Sequence, residues 1–141
     1  MAGFLFNIGA ERLILGTTIW GTSTFQARLV LTSAGAPSVD ADSMTGIGTA
    51  QAADDVAITG DVAAARDDAT NRVNFVADNI AFTSVAAYGA CNRVVIYHYD
   101  TNDAGSFPIA CIEITEVTPN TGDITVTMPT GGWFYTLQQT P

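Results

Sequence analysis

The chain has 141 residues, 48% of them apolar, enough for one domain whose single core needs neither disulfide nor metal support. Fourteen acids oppose five bases, all arginines (Arg12, Arg28, Arg66, Arg72 and Arg93), for a net charge of −9. That balance argues against nucleic acid, whose phosphates call for clustered Lys and Arg, and equally against an anionic membrane surface.

Met1–Leu15 is apolar, but no basic residue precedes Phe4–Phe6, and Glu11 and Arg12 interrupt the run, the reverse of a secretory signal. Asn7 is placed to cap a short helix with Ile8, Leu13 and Ile14 on its apolar side and Gly16 at its end. So short a helix is marginal unless it docks on something. Residues 1–16 are therefore read as an apolar arm, which either covers one end of its own domain or docks on a neighbouring subunit. Residues 17–141 are read as a single β domain.

From Thr24 to Thr32 the pattern alternates, with Phe25, Ala27, Leu29 and Leu31 against Gln26, Arg28 and Val30, and predicts a strand with one buried face. Ser33–Ala53 is rich in Gly, Ala, Ser and Asp, and is expected to be a long surface loop available for contacts. Weak alternation through Val56, Ile58 and Val62 follows, then a turn at Asp67–Asn71. Strands are predicted at Arg72–Ala77 and around Ile80 and Phe82.

Val94–Tyr99 and Ile109–Ile114 are rich in β-branched and aromatic residues and flank the polar Asp100–Ser106. They predict a long-looped hairpin at the centre of the fold. Thr118–Asp123 is a further turn. Ile124, Val126 and Met128 form a half-buried strand, and Trp133–Leu137 closes the chain. About eight short strands separated by regular turns, with at most one helix, indicate an all-β fold, an antiparallel β-sandwich or barrel.

Cys91 and Cys111 fall about five residues out of register in the hairpin, ~16 Å apart, too far to bridge, and are read as buried free thiols. His98 is the only histidine. Cys91, His98 and Asp100 look like a thiol hydrolase set, but Cys91 is seven positions from His98 and falls on the opposite strand face. Gly46-Ile47-Gly48 lacks the third glycine of a dinucleotide fingerprint, since Gln51 stands there. Asp100–Gly105 opens like a calcium loop, yet Ala104 and Cys111 occupy ligand positions. Asp54–Asp55 and Asp67–Asp68 are adjacent acids that point to opposite faces of a strand. The expectation is no enzyme, no cofactor and no metal.

Arg28–Ser33, DDATNRVNF (67–75), NIAFTSV (79–85), VVIYHYDTND (94–103), IACIEI (109–114), TPNTGDITVTMP (118–129) and GGWFYTL (131–137) follow one another in that order. This succession resembles small virion structural proteins of tailed bacteriophages, including capsid decoration (cement) proteins, as a pattern over residues 25–137. The resemblance carries no active-site motif. It implies a protein made in the host cytoplasm that binds the outer surface of an assembled head, with the major capsid protein as partner and self-association at symmetry axes. The contact residues expected on that reading are Phe4, Leu5, Phe6, Ile8 and Leu13 on the arm, and Val39, Met44 and Ile47 on the long loop. Removing residues 2–14 is then expected to leave the β domain folded and abolish shell binding. The alternatives are a neck or tail component of the virion, or a carbohydrate-binding β-sandwich using Trp20, Trp133 and Tyr135.

Overall fold

The computed structural model describes residues 3–50, 54–61, 63–70 and 72–137. Its central element is the predicted hairpin, β7 (Cys91–His98) and β8 (Phe107–Val117), whose β-branched and aromatic residues suit a strand buried on both faces. On one side β7 pairs with β2 (Phe25–Leu31), which in turn pairs with the two-residue β3 (Val56–Ala57). On the other side β8 pairs with β1 (Gly3–Leu5), giving an antiparallel five-stranded sheet in the order β1-β8-β7-β2-β3. Two smaller antiparallel sheets complete the described strands. One joins β4 (Ala65–Asp67), β5 (Arg72–Phe75) and β10 (Phe134–Leu137); the other pairs β6 (Ile80–Phe82) with β9 (Ile124–Val126). The fold is all-β, with one short helix, α1 (Asn7–Ile14), near the N-terminus. No helix among the described residues is long and apolar enough to cross a membrane.

Register sorts the side chains of the large sheet into two sets. Ala27, Ile96 and Ala110 lie abreast across β2, β7 and β8, as do Leu29, Val94 and Ile112. These face the main core, together with Trp20, Phe25, Phe75, Phe82 and Phe134. Here the rings of Trp20 and Phe25 lie 4.6 Å apart, and those of Phe75 and Phe134 stack at 4.4 Å. Both tryptophans satisfy their indole N–H inside, on the carbonyls of Val76 (2.8 Å) and Asp78 (3.1 Å). Gly132 lets β10 approach β5: a Cβ there would lie 2.5 Å from the Phe75 carbonyl oxygen, and its φ is +100°.

The opposite face is not open. Val30, Val95, Tyr97 and Cys111 are covered by Phe6, Met44 and Ile47, which form a second buried cluster. The one-faced reading of β2 is corrected accordingly: Val30 and Arg28 are buried, because the segment after β2 folds back over them. That segment is not a plain surface loop. It contains two 3-10 turns, Thr32–Ala34 and Met44–Ala50, and the Met44 amide donates to the carbonyls of Asp103 (3.1 Å) and Ser106 (2.9 Å) in the hairpin turn.

The leading segment is equally built in. Phe4 and Leu5 lie opposite Cys111 and Ala110, the Phe6 amide donates to the Ile109 carbonyl at 2.9 Å, and the Phe6 ring is fully buried. Truncation through residue 14 removes an edge strand and uncovers the second cluster, so the expectation that such a truncation stays folded is revised. The helix is preceded by Phe6 at the capping position, with no side-chain cap, and Asn7 instead donates to Asp40 at 2.5 Å. Gly16, at φ +67°, ends the turn that follows, as its position suggests. Docking of α1 depends on Gly9: a Cβ there would fall 2.6 Å from Ile109 Cα and 2.8 Å from its carbonyl oxygen. The helix therefore faces β8 along Gly9 and Leu13, and Ile14, about 100° around, is left in solvent.

Candidate interaction surface

The sequence places three large apolar residues at the end of α1 and in the turn beyond it, and the fold leaves them uncovered. Ile14 is 83% exposed, Leu15 63% and Ile19 54%. They are held at a defined end of the large sheet. Gly9 fixes α1 against Pro108 and Ile109 at the start of β8, and the Tyr99 amide donates to the Thr24 carbonyl (2.9 Å) where β7 ends beside β2. Ile19 is anchored from behind: its amide donates to the Ser23 hydroxyl at 3.0 Å, and its carbonyl accepts from Thr22 and Ser23. The buried Trp20 follows directly. Exposed Tyr99 belongs to the same end of the sheet, whereas exposed Tyr88 precedes β7 at the other. Large apolar side chains exposed at one end of the sheet are what the centre of a protein–protein contact requires.

Of the contact residues expected from the sequence, Phe6, Met44 and Ile47 are buried in the second cluster and offer a partner no surface. Phe4 and Ile8 are half-buried against that same cluster, and Leu5 and Leu13 against the main core. Only Val39 is exposed, and its carbonyl accepts from the Asn7 amide at 3.1 Å. A sheet with two apolar faces needs two covers, and Phe4, Phe6, Ile8, Met44 and Ile47 supply the second, while Leu5 and Leu13 add to the first. Ile14 was assigned to the buried side of the helix because Gly9 carries no hydropathy signal, although its missing Cβ marks the docking face.

Beneath the surface lies a polar network that the sequence reading missed. Arg28, only 3% exposed, donates from Nε and Nη2 to Asp55 (2.6–3.2 Å) and from Nη1 and Nη2 to Asp103 (2.9–3.0 Å). Its guanidinium lies 5.6 Å from the centre of the Tyr97 ring. The Tyr97 hydroxyl is 2.7 Å from Asp55 Oδ2 and 2.6 Å from Gln26 Oε1. Burial works against the guanidinium charge, but the two carboxylates outweigh it and hold Arg28 above its ordinary value. Burial, then the Asp55 carboxylate, pushes the Tyr97 phenol up as well. The network is a clasp that pins the segment before β3 and the hairpin turn onto the sheet. Its one sequence signal was an arginine amid the apolar residues of β2.

In the segment that opens like a calcium loop, Asp103 is turned in on Arg28 and Asn102 Oδ1 accepts from the amides of Ala104 and Gly105. Among the described residues no group of three or more His, Cys, Asp or Glu is placed to hold a metal ion. Cys91 and His98 stand at opposite ends of β7, ~23 Å apart along an extended strand. Both cysteines are buried and free, in different clusters. Burial raises the Cys91 thiol above its usual value and pushes Cys111 up to about 11, the opposite of an activated nucleophile. Asp67 serves its turn, accepting from the Thr70 hydroxyl at 2.6 Å and from the amides of Ala69 and Thr70. Asp68 pairs on the surface with Arg66.

Fold and surface together define an all-β protein whose large sheet packs on both faces and leaves Ile14, Leu15 and Ile19 exposed at one end. Compared with protein-family models, curated proteins and solved structures, the chain finds no match.

Proposed function

We propose that this chain is a structural virion protein, a capsid decoration (cement) protein that binds the outside of an assembled phage head and bridges major capsid subunits. The observation that carries the reading is the exposed set Ile14, Leu15 and Ile19, at the end of a helix seated on the central sheet and in the turn beyond it. The order of strand and turn phrases over residues 25–137 supports it. So does a sheet packed on both faces over its central strands, a body suited to transmitting load between neighbours. Whatever binds only the assembled shell stabilises that shell by mass action, and many symmetric copies multiply a modest contact. The carbohydrate-binding alternative loses support, since Trp20 and Trp133 are buried and turn their indole N–H groups inward.

The test is a triple substitution, Ile14→Ser, Leu15→Ser and Ile19→Ser, assayed for co-sedimentation with assembled shells. Side chains that exposed contribute nothing to the core, so the variant keeps its unfolding midpoint. At ~1 kcal/mol lost per partly covered side chain, affinity falls about 100-fold. Unchanged occupancy of the shell by a folded variant refutes the proposed surface.

A further inference from the structure

His98 sits where three elements meet. Its ring stacks on Phe107 of β8, with centroids 4.8 Å apart and planes 13° from parallel, and meets Phe25 of β2 edge-on at 6.0 Å. Arg12 of α1 holds its guanidinium 5.5 Å from the centre of the same Phe107 ring. The His98 Nδ1 is buried and has no hydrogen-bond partner. A neutral imidazole needs an N–H on one nitrogen only, whereas an imidazolium must place an N–H on both. Protonation therefore puts a charged, unsatisfied donor at Nδ1, a larger cost than a buried lone pair.

We propose that His98 is a proton-operated latch: proton uptake by its ring loosens the seat of helix α1 on the start of β8. The charged groups facing the ring are Arg12 from α1 and Asp100 from the hairpin turn; β2 and β8 contribute the uncharged rings of Phe25 and Phe107. Burial, the largest effect, disfavours the imidazolium, Arg12 adds like-charge repulsion, and Asp100 pulls the other way. The Asp100 carboxylate is engaged by the Thr101 amide at 2.7 Å, and the ring's balance stays on the neutral side. Arg12 rides on α1, so lifting the helix carries that like charge away from the ring and relieves the repulsion. A proton thus binds the lifted form more tightly than the seated one, so acidification through the histidine range favours lifting. The weak points of the seat agree with this direction: α1 has no side-chain cap, and beyond Gly9 its hold on β8 includes the Arg12–Phe107 contact.

His98 is the only histidine, so among side chains of ordinary pKa it alone titrates between about pH 5 and pH 7. The experiment is amide hydrogen exchange on the full chain between about pH 5 and pH 7, corrected for intrinsic rates. Protection of the Ala10–Leu15 amides is expected to fall roughly fivefold relative to Val94–Ile96 across that range, and His98→Phe is expected to flatten the dependence. Direct titration of the His98 ring protons is expected to give a midpoint below the ordinary 6.5, which Arg12→Gln raises. Protection of α1 that stays constant with pH, or that varies identically in His98→Phe, overturns the latch. So does a ring midpoint at or above 6.5 that Arg12→Gln leaves in place, a readout that stands even if His98→Phe fails to fold.

Discussion

Replacing Arg28 by methionine tests the clasp, because methionine keeps the unbranched apolar stem and removes the guanidinium. Arg28 is 3% exposed, Asp55 15% and Asp103 42%, so the three charges are far from equivalent. Without Arg28, Asp103 turns to solvent at little cost, whereas the Asp55 carboxylate stays largely buried without its bidentate partner. Breaking a buried pair from one side costs ~3–5 kcal/mol, a large share of a typical total of about 5–15. Asp103→Asn, touching a half-exposed partner, should cost about 1 kcal/mol or less. Asp55→Asn strips charge from the inner partner and should approach the Arg28→Met value. The double variant Arg28→Met, Asp55→Asn should be less destabilised than the sum of the singles, since each has already lost the same interaction. Urea unfolding, with stability taken by linear extrapolation, gives all four numbers. If Arg28→Met costs under about 1 kcal/mol, or Asp103→Asn costs as much as Asp55→Asn, the buried clasp is not what holds the covering segments down.

Phe6→Ala should destabilise by ~3–5 kcal/mol in the same assay, because the ring is fully enclosed under Val30, Tyr97 and Cys111; a loss below about 1 kcal/mol would return the leading segment to the role of a detachable arm. Gly9→Ala forces the helix off Ile109 and should cost ~1–3 kcal/mol despite alanine's better helix propensity; a neutral or stabilised variant would show that α1 does not sit where its backbone contacts place it. Both thiols should be silent to an aromatic disulfide reagent at neutral pH in the native protein and react together on unfolding; fast labelling of either in the native state would contradict its burial and its raised pKa.

Much of the strand framework was legible because its signals are local. Val94–Tyr99 and Ile109–Ile114 are β-formers around a polar turn, and they became β7 and β8 with the turn between them. Ile80 with Phe82 and Ile124 with Val126 alternate strictly, and they pair as β6 and β9. The second cover of the sheet was not legible. Met44 and Ile47 are isolated among Gly, Ala, Ser and Asp, so nothing in the segment announces that it folds back. Strand β1 has three residues and takes its identity from β8, beyond the reach of any local pattern. Arg28 read as the polar side of a strand, because alternation reports hydropathy and cannot see two carboxylates arriving from 27 and 75 residues away. The expected turn at Asp67–Asn71 is present over its described residues, whereas Val62 and Asn71 lie outside them. The exposed end was hidden for a related reason: helical position relative to Gly9, not hydropathy, decides that Leu13 is covered and Ile14 is not.

The most direct test of the functional reading is the number and position of copies on the particle. Electron microscopy of assembled virions with this chain labelled should show it over the whole head, on the order of hundreds of copies arranged with the shell's symmetry. Label confined to a single vertex or to the tail, at about a dozen copies or fewer, or absent from particles altogether, would contradict the decoration role.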